Sequence, residues 1–375
     1  MLYAFELSGE HPFIPAAEVL SVLASRNLDY SVIETYTGCF VVDISSPSVS
    51  DDDIFQMMRM EMPDVLAMTH AISRVIEITD VSEEKILAAA ECFCAADYLN
   101  ENETFVVRAK RLGDNSVLKS VDLEGKIGGR VYRQGFRASL KNADVVFRLT
   151  LTDKAVFGIL ACAVDRGAYE FRSPQKKPFF YPGVLMPRAA RAFCNIAGVK
   201  PDSVAVDPFC GTAGILLEAG LLGAKTIGVD AQEKIIIGAD SNMSGYSKTT
   251  GKLLSKEERD IGADLPDYDL FVGDACGLPI ADESADAVIT DPPYGRSAAI
   301  KADSLEYLYA ESFKEMYRIL KPGKKAVIVS EIEVISFAEN AGFEIETVFK
   351  QRVHRSLTRT ITTCIKNKNE KALYF

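Results

Sequence analysis

The stretch Asp291-Pro292-Pro293-Tyr294-Gly295 carries the residue types that point most directly to chemistry. It follows the run Ala287–Thr290, whose apolar pattern is typical of a buried strand. Asp291 and the carbonyl of Pro292 can accept the two N–H bonds of an amine, and Tyr294 can stack on the planar ring that bears it. The stretch therefore predicts a reaction at an exocyclic amine of a nucleic-acid base. The alternative is a proline-stiffened turn that Asp291 merely caps.

A glycine-containing turn precedes this pocket in the chain. Residues 204–214 have the pattern of a strand, a turn and the start of a helix, with Gly211 and Gly214 in the turn. Glycines allow a ligand to approach the backbone, and the N-terminus of the following helix favours a carboxylate. Taken alone, the pattern also fits a nicotinamide-binding fold or a tight turn without a ligand.

Acidic residues at the ends of two further strand-like runs narrow the choice of ligand. We expect Asp230 to accept hydrogen bonds from two ribose hydroxyls and Asp274 to bind an adenine amino group. No basic residue lies in the glycine turn, where a pyrophosphate would need one, so the pattern favours the sulfonium methyl donor S-adenosylmethionine over a dinucleotide. The residues predicted to bind it from these runs are Asp207, Phe209, Gly211, Thr212, Gly214, Asp230, Asp274, Ala275 and Asp291.

The chemistry of methyl transfer to such an amine places few demands on a general base. The lone pair of the nitrogen is delocalised into the ring, so the two hydrogen bonds at Asp291 and Pro292 must orient it toward the methyl group. The methylated product is a strong acid and loses its proton readily. We therefore predict Asp291, Pro292 and Tyr294 as the catalytic residues. The three histidines are far apart in the sequence, and no metal site is predicted.

The bulk composition fits an ordinary globular protein of more than one domain. The chain has 375 residues, of which 48% are hydrophobic and 25% charged. It contains no apolar run of about 20 residues, which a membrane span requires. Neither a signal peptide nor a paired cysteine framework is apparent, so we expect reduced thiols and a cytoplasmic location.

Charge is divided unevenly along the chain, although the total is −11. Residues 1–102 contain 4 Lys and Arg against 18 Asp and Glu, residues 103–191 contain 17 against 8, and residues 192–375 contain 21 against 27. A polyanion responds to the local field, because salt screens distant charges. The middle segment is thus the predicted nucleic-acid surface. The alternative is that its charges merely solvate one face. The residues predicted to bind RNA are Arg108, Lys110, Arg111, Arg130, Arg133 and Arg137.

Four segments are predicted from the order of strand and helix patterns. Residues 1–65 suggest a ferredoxin-like α+β subdomain and residues 66–164 a second α+β domain, in which Gly128, Gly129 and Gly135 should break the basic run into a turn and strands. Residues 165–190 form a connector whose aromatic cluster should dock on the next domain. Residues 191–375 alternate strand and helix patterns, which predicts a doubly wound, mostly parallel α/β sheet.

These motifs together resemble the archaeal-type tRNA (guanosine-10 N2) methyltransferases, a THUMP-domain family with the class I S-adenosylmethionine-dependent fold. The resemblance covers nearly the whole chain. Residues 179–183 resemble the family's extra cofactor motif, which implies that Tyr181 and Pro182 bind the cofactor. Asp291 to Gly295 match the family's catalytic turn, and Val353 to Arg359 resemble its C-terminal signature.

The resemblance implies N2-methylation of guanosine in tRNA, with the THUMP domain binding the acceptor end. A small zinc-binding activator subunit, which some relatives use, is a candidate partner, and the chain itself is expected to be a monomer or a weak oligomer. The alternatives are a ribosomal RNA guanine-N2 methyltransferase and, from another class, a noncatalytic RNA-binding protein with a vestigial cofactor pocket. A DNA methyltransferase and a nicotinamide dehydrogenase fit the sequence less well. The number of methyl groups added is left open.

Overall fold

The computed structural model describes residues 1–112, 118–260, 264–294, 302–354 and 357–367. The chain divides into two compact units. The first comprises Met1–Ala16, Arg26–Asp64 and Met68–Asp165, and the second comprises Ala17–Ser25, Val65–Ala67 and Arg166–Phe375. Each unit is therefore assembled from three separate stretches of chain.

The strands up to residue 165 form a single sheet, which has eight strands among the described residues. These strands are β1 Leu2–Leu7, β2 Asp29–Tyr36, β3 Cys39–Ser45, β4 Thr69–Thr79, β5 Thr104–Arg111, β6 Arg137–Ala138, β7 Val145–Leu151 and β8 Ala155–Ala163. Their order across the sheet is β2-β3-β1-β4-β8-β7-β5-β6. The helices between them are α1 Ile14–Ser25, α2 Asp51–Met60, α3 Met62–Val65, α4 Glu83–Cys92 and α5 Ser120–Arg133.

The first half of this sheet follows a ferredoxin-like plan. The elements β1, α1, β2, β3, α2 and β4 follow the βαββαβ order, and the four strands pair in antiparallel fashion. Because β4 lies beyond residue 65, the border predicted there falls inside the motif. The domain borders proposed from the sequence stay predictions.

The basic run after residue 119 forms a helix, so the predicted break at Gly128 and Gly129 is wrong. Leu123, Ile127 and Val131 recur every four residues along α5 and are all buried. Burying three such side chains contributes more than the roughly 1 kcal/mol that each interior glycine costs a helix. The helical spacing of the buried apolar residues therefore outweighs the tendency of the glycines to break the helix.

The second unit contains the doubly wound sheet that the sequence predicted, and this prediction is confirmed. Its strands are β9 Val204–Asp207, β10 Lys225–Asp230, β11 Tyr268–Val272, β12 Ala285–Thr290, β13 Leu320–Ser330, β14 Glu344–His354 and β15 Leu357–Ile365, in the order β11-β10-β9-β12-β13-β15-β14. Among the described residues, β15 pairs in antiparallel fashion with both β13 and β14, and the other strand pairs of this sheet are parallel. The helices are α6 Pro187–Ile196, α7 Gly214–Leu221, α8 Glu233–Met243, α9 Lys256–Asp260, α10 Ala302–Ile319 and α11 Ile335–Ala341.

Two short N-terminal stretches belong to this second unit. Glu18, on the part of α1 assigned to it, is fully buried and accepts hydrogen bonds from Asn195 Nδ2 at 2.7 Å and from the backbone of Ala67 at 2.8 Å. Asn195 Nδ2 also donates to the carbonyl of Val65 at 2.9 Å. These bonds join segments that are far apart in the sequence.

No helix of the described ranges is long and apolar enough to cross a membrane. In the same ranges, no group of three or more His, Cys, Asp or Glu side chains is placed to hold a metal ion.

Candidate active site

The candidate site lies where β9 and β12 meet at the centre of the second sheet. The strand order reverses between these two strands, and ligands of open α/β sheets bind at the carboxyl ends of the strands at such a point. Asp207 ends β9 and is 1% exposed, and its Oδ1 accepts a hydrogen bond from Thr290 Oγ1 at 2.7 Å. Burial raises the pKa of Asp207 to about 7. This bond fixes the residue before Asp291 against the start of the glycine turn.

The glycine turn lies between the end of β9 and the start of α7, as the sequence predicted. Gly211 has a φ of 50°, and Ala213 has a φ of 59°, so both lie in the left-handed region. The turn is held to the next strand by a hydrogen bond from Cys210 N to Val229 O at 2.9 Å. Thr212 is buried, whereas Phe209 and Gly211 are half-buried. The chain then enters α7 at Gly214.

The three predicted acidic strand ends all make the same local turn. Oδ1 of Asp207, Asp230 and Asp274 accepts a hydrogen bond from the backbone N–H two residues later, at 3.1, 2.9 and 2.9 Å respectively. Such turns are a common structural role of aspartate. Since each carboxylate has four lone-pair positions, these turns leave acceptor capacity for a ligand. Burial also raises the pKa of Asp230, while Asp274 is exposed next to the buried Ala275.

The aromatic cluster of the connector docks on the second unit, as the sequence predicted. The backbone N–H of Phe179 donates to Asn242 Oδ1 at 2.8 Å, and Asn242 Nδ2 donates to the carbonyls of Phe179 and Thr212 at 3.0 and 2.9 Å. The Phe179 ring occupies the space in which any Cβ on Gly238 would lie, with its nearest atom 2.1 Å away. Tyr181 and Pro182 remain exposed. Asn242 and Gly238 were not predicted, because nothing local marks them.

Asp291 follows β12 and is engaged at both carboxylate oxygens. Tyr294 Oη donates a short hydrogen bond to Oδ1, and Arg359 Nη2 lies 3.6 Å from Oδ2. Tyr309 donates to the carbonyl of Pro293 at 3.2 Å and so supports the turn. Burial raises the pKa of Asp291 to about 6, and Arg359 and Tyr294 limit this rise. Gly295, which the sequence included in the motif, lies outside the described residues.

Tyr294 therefore bonds to Asp291, whereas the sequence predicted a role in stacking on the base. We expect Tyr294→Phe to retain the stacking ring and to change RNA affinity little, since only the hydroxyl is removed. Tyr294→Ala should weaken RNA binding by about 1–3 kcal/mol, the value of one stacked base. Filter binding of tRNA to the two variants checks this. If both variants bound tRNA with equal affinity, the Tyr294 ring would not stack on the base.

Arg359 is a site residue whose role the sequence did not reveal. It is 8% exposed, and its Nη2 also donates to the carbonyl of Gly183 at 3.3 Å, beside the exposed Pro182. It thus connects the C-terminal strand, the connector and Asp291. The neighbouring Arg355 and Ser356 of the predicted signature lie outside the described residues.

The pH dependence of methyl transfer should reflect the interaction between Arg359 and Asp291. Transfer requires the carboxylate form of Asp291, so kcat/KM should fall as the pH drops through about 6. Arg359→Met removes the neighbouring positive charge and should move this acid limb upward by about one pH unit. Arg359→Lys keeps the charge and is the control. An acid limb that is the same in all three proteins would show that Arg359 does not act on Asp291.

The six predicted RNA-binding residues do not form one cluster. Lys110 and Arg111 end β5 and line a cavity of about 570 Å³ in the first unit. Arg137 pairs with Thr104 at the other end of the same strand, about 20 Å away at the usual rise per residue. Arg130 and Arg133 lie on α5.

Half of these six side chains are already paired. Arg108 contacts Glu124 at 3.6 Å, Arg130 contacts Glu91 at 3.0 Å, and Arg111 donates to the carbonyl of Leu118. Lys110, Arg133 and Arg137 are exposed, and no carboxylate of the described ranges pairs with them. These last three are the side chains available to phosphates.

Comparisons with known proteins match this chain to a methyltransferase domain, a THUMP domain and tRNA-methylating relatives. Residues 174–361 match the family model of an RMKL-like methyltransferase domain, and residues 81–157 match the THUMP domain. A tRNA (guanine(10)-N2)-dimethyltransferase of Methanothermobacter thermautotrophicus is 31% identical over 95% of this chain and 96% of its own length. A tRNA (guanine(10)-N2)-dimethyltransferase of Pyrococcus abyssi is 33% identical over 68% of this chain and 72% of its own length.

The fold has a counterpart among solved structures. The crystal structure of TrmN from Thermus thermophilus covers 98% of this chain and 100% of its own, with a TM-score of 0.50 and 18% identity. At this identity the likeness concerns the fold alone. The two domain matches and the identity over nearly the full length place the chain in the family of THUMP-domain tRNA (guanine(10)-N2)-dimethyltransferases.

Proposed function

We propose that this protein methylates the N2 amine of guanosine at position 10 of tRNA, using S-adenosylmethionine. The observation that carries the proposal is the bond between Asp207 and Thr290, which sets the Asp291 turn directly beside the glycine turn. A methyl donor and an acceptor amine could then meet at one edge of the sheet. The names of the two relatives support the substrate and the position.

The residues of the glycine turn and of the acidic strand ends fit the proposed cofactor. Asp230 retains acceptor capacity for ribose hydroxyls, and Asp274 lies at the next strand end for the adenine side. A Cβ on Gly214 would lie 3.3 Å from Lys177 Nζ, so glycine keeps this part of the turn open. S-adenosylmethionine supplies an electrophilic methyl group when bound.

On the acceptor side, Asp291 and the carbonyl of Pro292 orient the guanine amine through its two N–H bonds. The negative charge of Asp291 stabilises the positive charge that develops on the nitrogen. When the amine binds, the Tyr294 hydroxyl must either share Asp291 Oδ1 with it or break its hydrogen bond to that oxygen. The base must also leave its stack in the tRNA, which costs a few kcal/mol.

We propose that two methyl groups are added in succession. After the first transfer the nitrogen keeps a single N–H, so the product must rotate before a second transfer. The printed names of both relatives, dimethyltransferases, support this extension.

Methyl incorporation from labelled S-adenosylmethionine into unmodified tRNA tests the proposal. We expect label in a transcript with guanosine at position 10 and none when adenosine replaces it, and mass spectrometry of the nucleosides should then show N2,N2-dimethylguanosine. Label in ribosomal RNA but not in tRNA would favour the ribosomal alternative. Cofactor binding without label in any RNA, even after the zinc-binding activator is added, would favour a noncatalytic RNA-binding protein.

The salt dependence of tRNA binding should identify the basic residues that bind phosphate. Replacing Lys110, Arg133 and Arg137 by glutamine should weaken binding and reduce the slope of log K against log salt by about 0.7–0.9 for each phosphate that is no longer neutralised. The matched control replaces the exposed lysines 200, 252 and 256 of the second unit. The same slope in both triple variants would show that the first unit does not bind phosphates through these residues.

We also propose a small zinc-binding activator subunit, a monomer or a weak oligomer in solution, and a cytoplasmic location. We expect a monomer or a weak oligomer in sedimentation experiments, and activity in the cytoplasm, where tRNA substrates are modified. Stimulation of the labelling reaction by a small zinc-binding protein would establish the activator.

A further inference from the structure

A short apolar segment of the connector, residues 180–182, is held at both ends. Before it, the backbone N–H of Phe179 donates to Asn242 Oδ1 at 2.8 Å. After it, the carbonyl of Gly183 accepts a hydrogen bond from Arg359 Nη2 at 3.3 Å. The backbone of this segment is therefore fixed on the second unit.

The two aromatic side chains of the segment are exposed close to the catalytic turn. Phe180 is 48% exposed and Tyr181 is 53% exposed. The same Arg359 Nη2 that bonds to the connector lies 3.6 Å from Asp291 Oδ2. Since consecutive Cα atoms are about 3.8 Å apart, the Cα of Phe180 lies at most about 11 Å from the connector residue that Arg359 contacts. A nucleotide bound at Asp291 would thus have its neighbours within reach of these rings.

The hairpin of β14 and β15 brings positive charge to the same edge of the sheet. Because β14 is antiparallel to β15, which is itself antiparallel to β13, β14 ends at the edge that carries the catalytic turn. Gln351 pairs with Arg359 across the hairpin, and Arg352 pairs with Thr358. Arg352 is exposed, and no carboxylate of the described ranges forms an ion pair with it. It is therefore available to an anion, although residues 192–375 carry more acidic than basic residues.

We propose that Phe180 stacks on an RNA base next to the target guanine, and that Arg352 neutralises a phosphate of the same strand. The inference rests on the proposed function for the identity of the RNA. Turning the target base out of its stack frees a face of the neighbouring base, and an aromatic ring beside a cation is how proteins bind such unstacked nucleotides. Tyr181 is already a predicted cofactor contact, so the base is assigned to Phe180. A protein partner would use the apolar rings but would not require the cation.

Binding of tRNA and of S-adenosylmethionine to full-length variants tests the proposal. Phe180→Ala should weaken tRNA binding about fivefold to a hundredfold, the value of one stacked base, and leave its salt dependence unchanged. Phe180→Tyr keeps a ring and should bind tRNA within about twofold of the wild type. Arg352→Gln should reduce the slope of log K against log salt by about 0.7, the value for one phosphate of a single strand. Calorimetry should give S-adenosylmethionine affinities within about twofold of the wild-type value for all three variants.

Two matched controls change similar side chains elsewhere on the second unit. Phe171→Ala removes an aromatic ring of the same connector that is 51% exposed, and Lys252→Gln removes an exposed cation. We expect wild-type tRNA affinity and salt dependence in both. Equal losses in Phe171→Ala and Phe180→Ala would show a nonspecific surface effect and overturn the stacking assignment.

Weaker S-adenosylmethionine binding with unchanged tRNA affinity in Phe180→Ala would assign the ring to the cofactor and overturn the proposal. Unchanged affinity for both ligands would also overturn it and would favour a protein partner for this surface. An unchanged salt slope in Arg352→Gln would rule out the phosphate contact. Retained S-adenosylmethionine binding demonstrates that a variant is folded, and Phe180→Leu serves if Phe180→Ala is not. Failure of the proposed function would appear in the wild-type protein, as tRNA binding without methyl transfer to guanosine.

Discussion

Asp291→Ala is expected to lower kcat for methyl transfer by about 10²–10³-fold, while the Kd for S-adenosylmethionine changes by less than about threefold. The size follows from the removal of a preorganised group that stabilises developing charge in a water-poor site. The cofactor should be largely spared because Asp291 is only one of its predicted contacts, and the others lie mainly at Asp230, Asp274 and the glycine turn. Single-turnover labelling and calorimetry measure the two quantities separately.

Asp291→Asn separates the charge of this residue from its hydrogen bond. The amide keeps one oxygen acceptor for the guanine amine but carries no negative charge. We expect an intermediate rate if orientation and charge both contribute, and the alanine rate if charge alone matters. An equal loss of cofactor binding and rate in Asp291→Ala would instead make Asp291 a structural residue of the turn.

Glu218→Gln is expected to lower the free energy of unfolding of the second unit by about 3–5 kcal/mol. The substitution keeps the shape of the side chain but leaves the guanidinium groups of Arg172 and Arg191 without their shared carboxylate in a buried setting. Removing one partner of a buried ion pair has this cost because the remaining charge stays desolvated. Urea titration measures this free energy of unfolding, with the loss of S-adenosylhomocysteine binding as the signal for unfolding of the second unit.

Glu346→Gln is the matched control for this prediction. Glu346 contacts Lys325 Nζ at 2.7 Å, but both side chains are about one-third exposed. Such partly solvated pairs contribute about 0–1 kcal/mol. A comparable loss of stability in both variants would mean that burial does not increase the cost of breaking the ion pairs of Glu218.

The sequence predicted those parts of the site that depend on one strand end and the turn after it. Asp207, Asp230 and Asp274 all lie at the carboxyl edge of one parallel sheet, because the alternation of strand and helix patterns fixes where such strands end. The assignment of each aspartate to a ligand remains a prediction. The observed turns at all three show that the structural and the ligand-binding interpretations are compatible.

Contacts between distant segments could not be predicted in this way. Arg359 reaches Asp291 across 68 positions, and Asn242 holds Phe179 across 63. No local pattern distinguishes Asn242 from any other helical asparagine. In the first unit the opposite error occurred, although Lys110 and Arg137 are closer together in the sequence. Lys110 lies near the end of β5, whereas Arg137 lies on β6, which pairs with the start of β5.

The interleaving of the two units has a consequence for dissecting the protein. A recombinant fragment that begins at Arg166 would include Asn195 but lack Glu18, Val65 and Ala67, and so would lose the buried bonds among them. The second unit is therefore not a domain that can be expressed intact by truncating the chain at one position or by fusing one continuous segment to another protein. During synthesis, the segment around Glu18 must likewise wait for Asn195, which is translated 177 residues later, before it reaches its final partners.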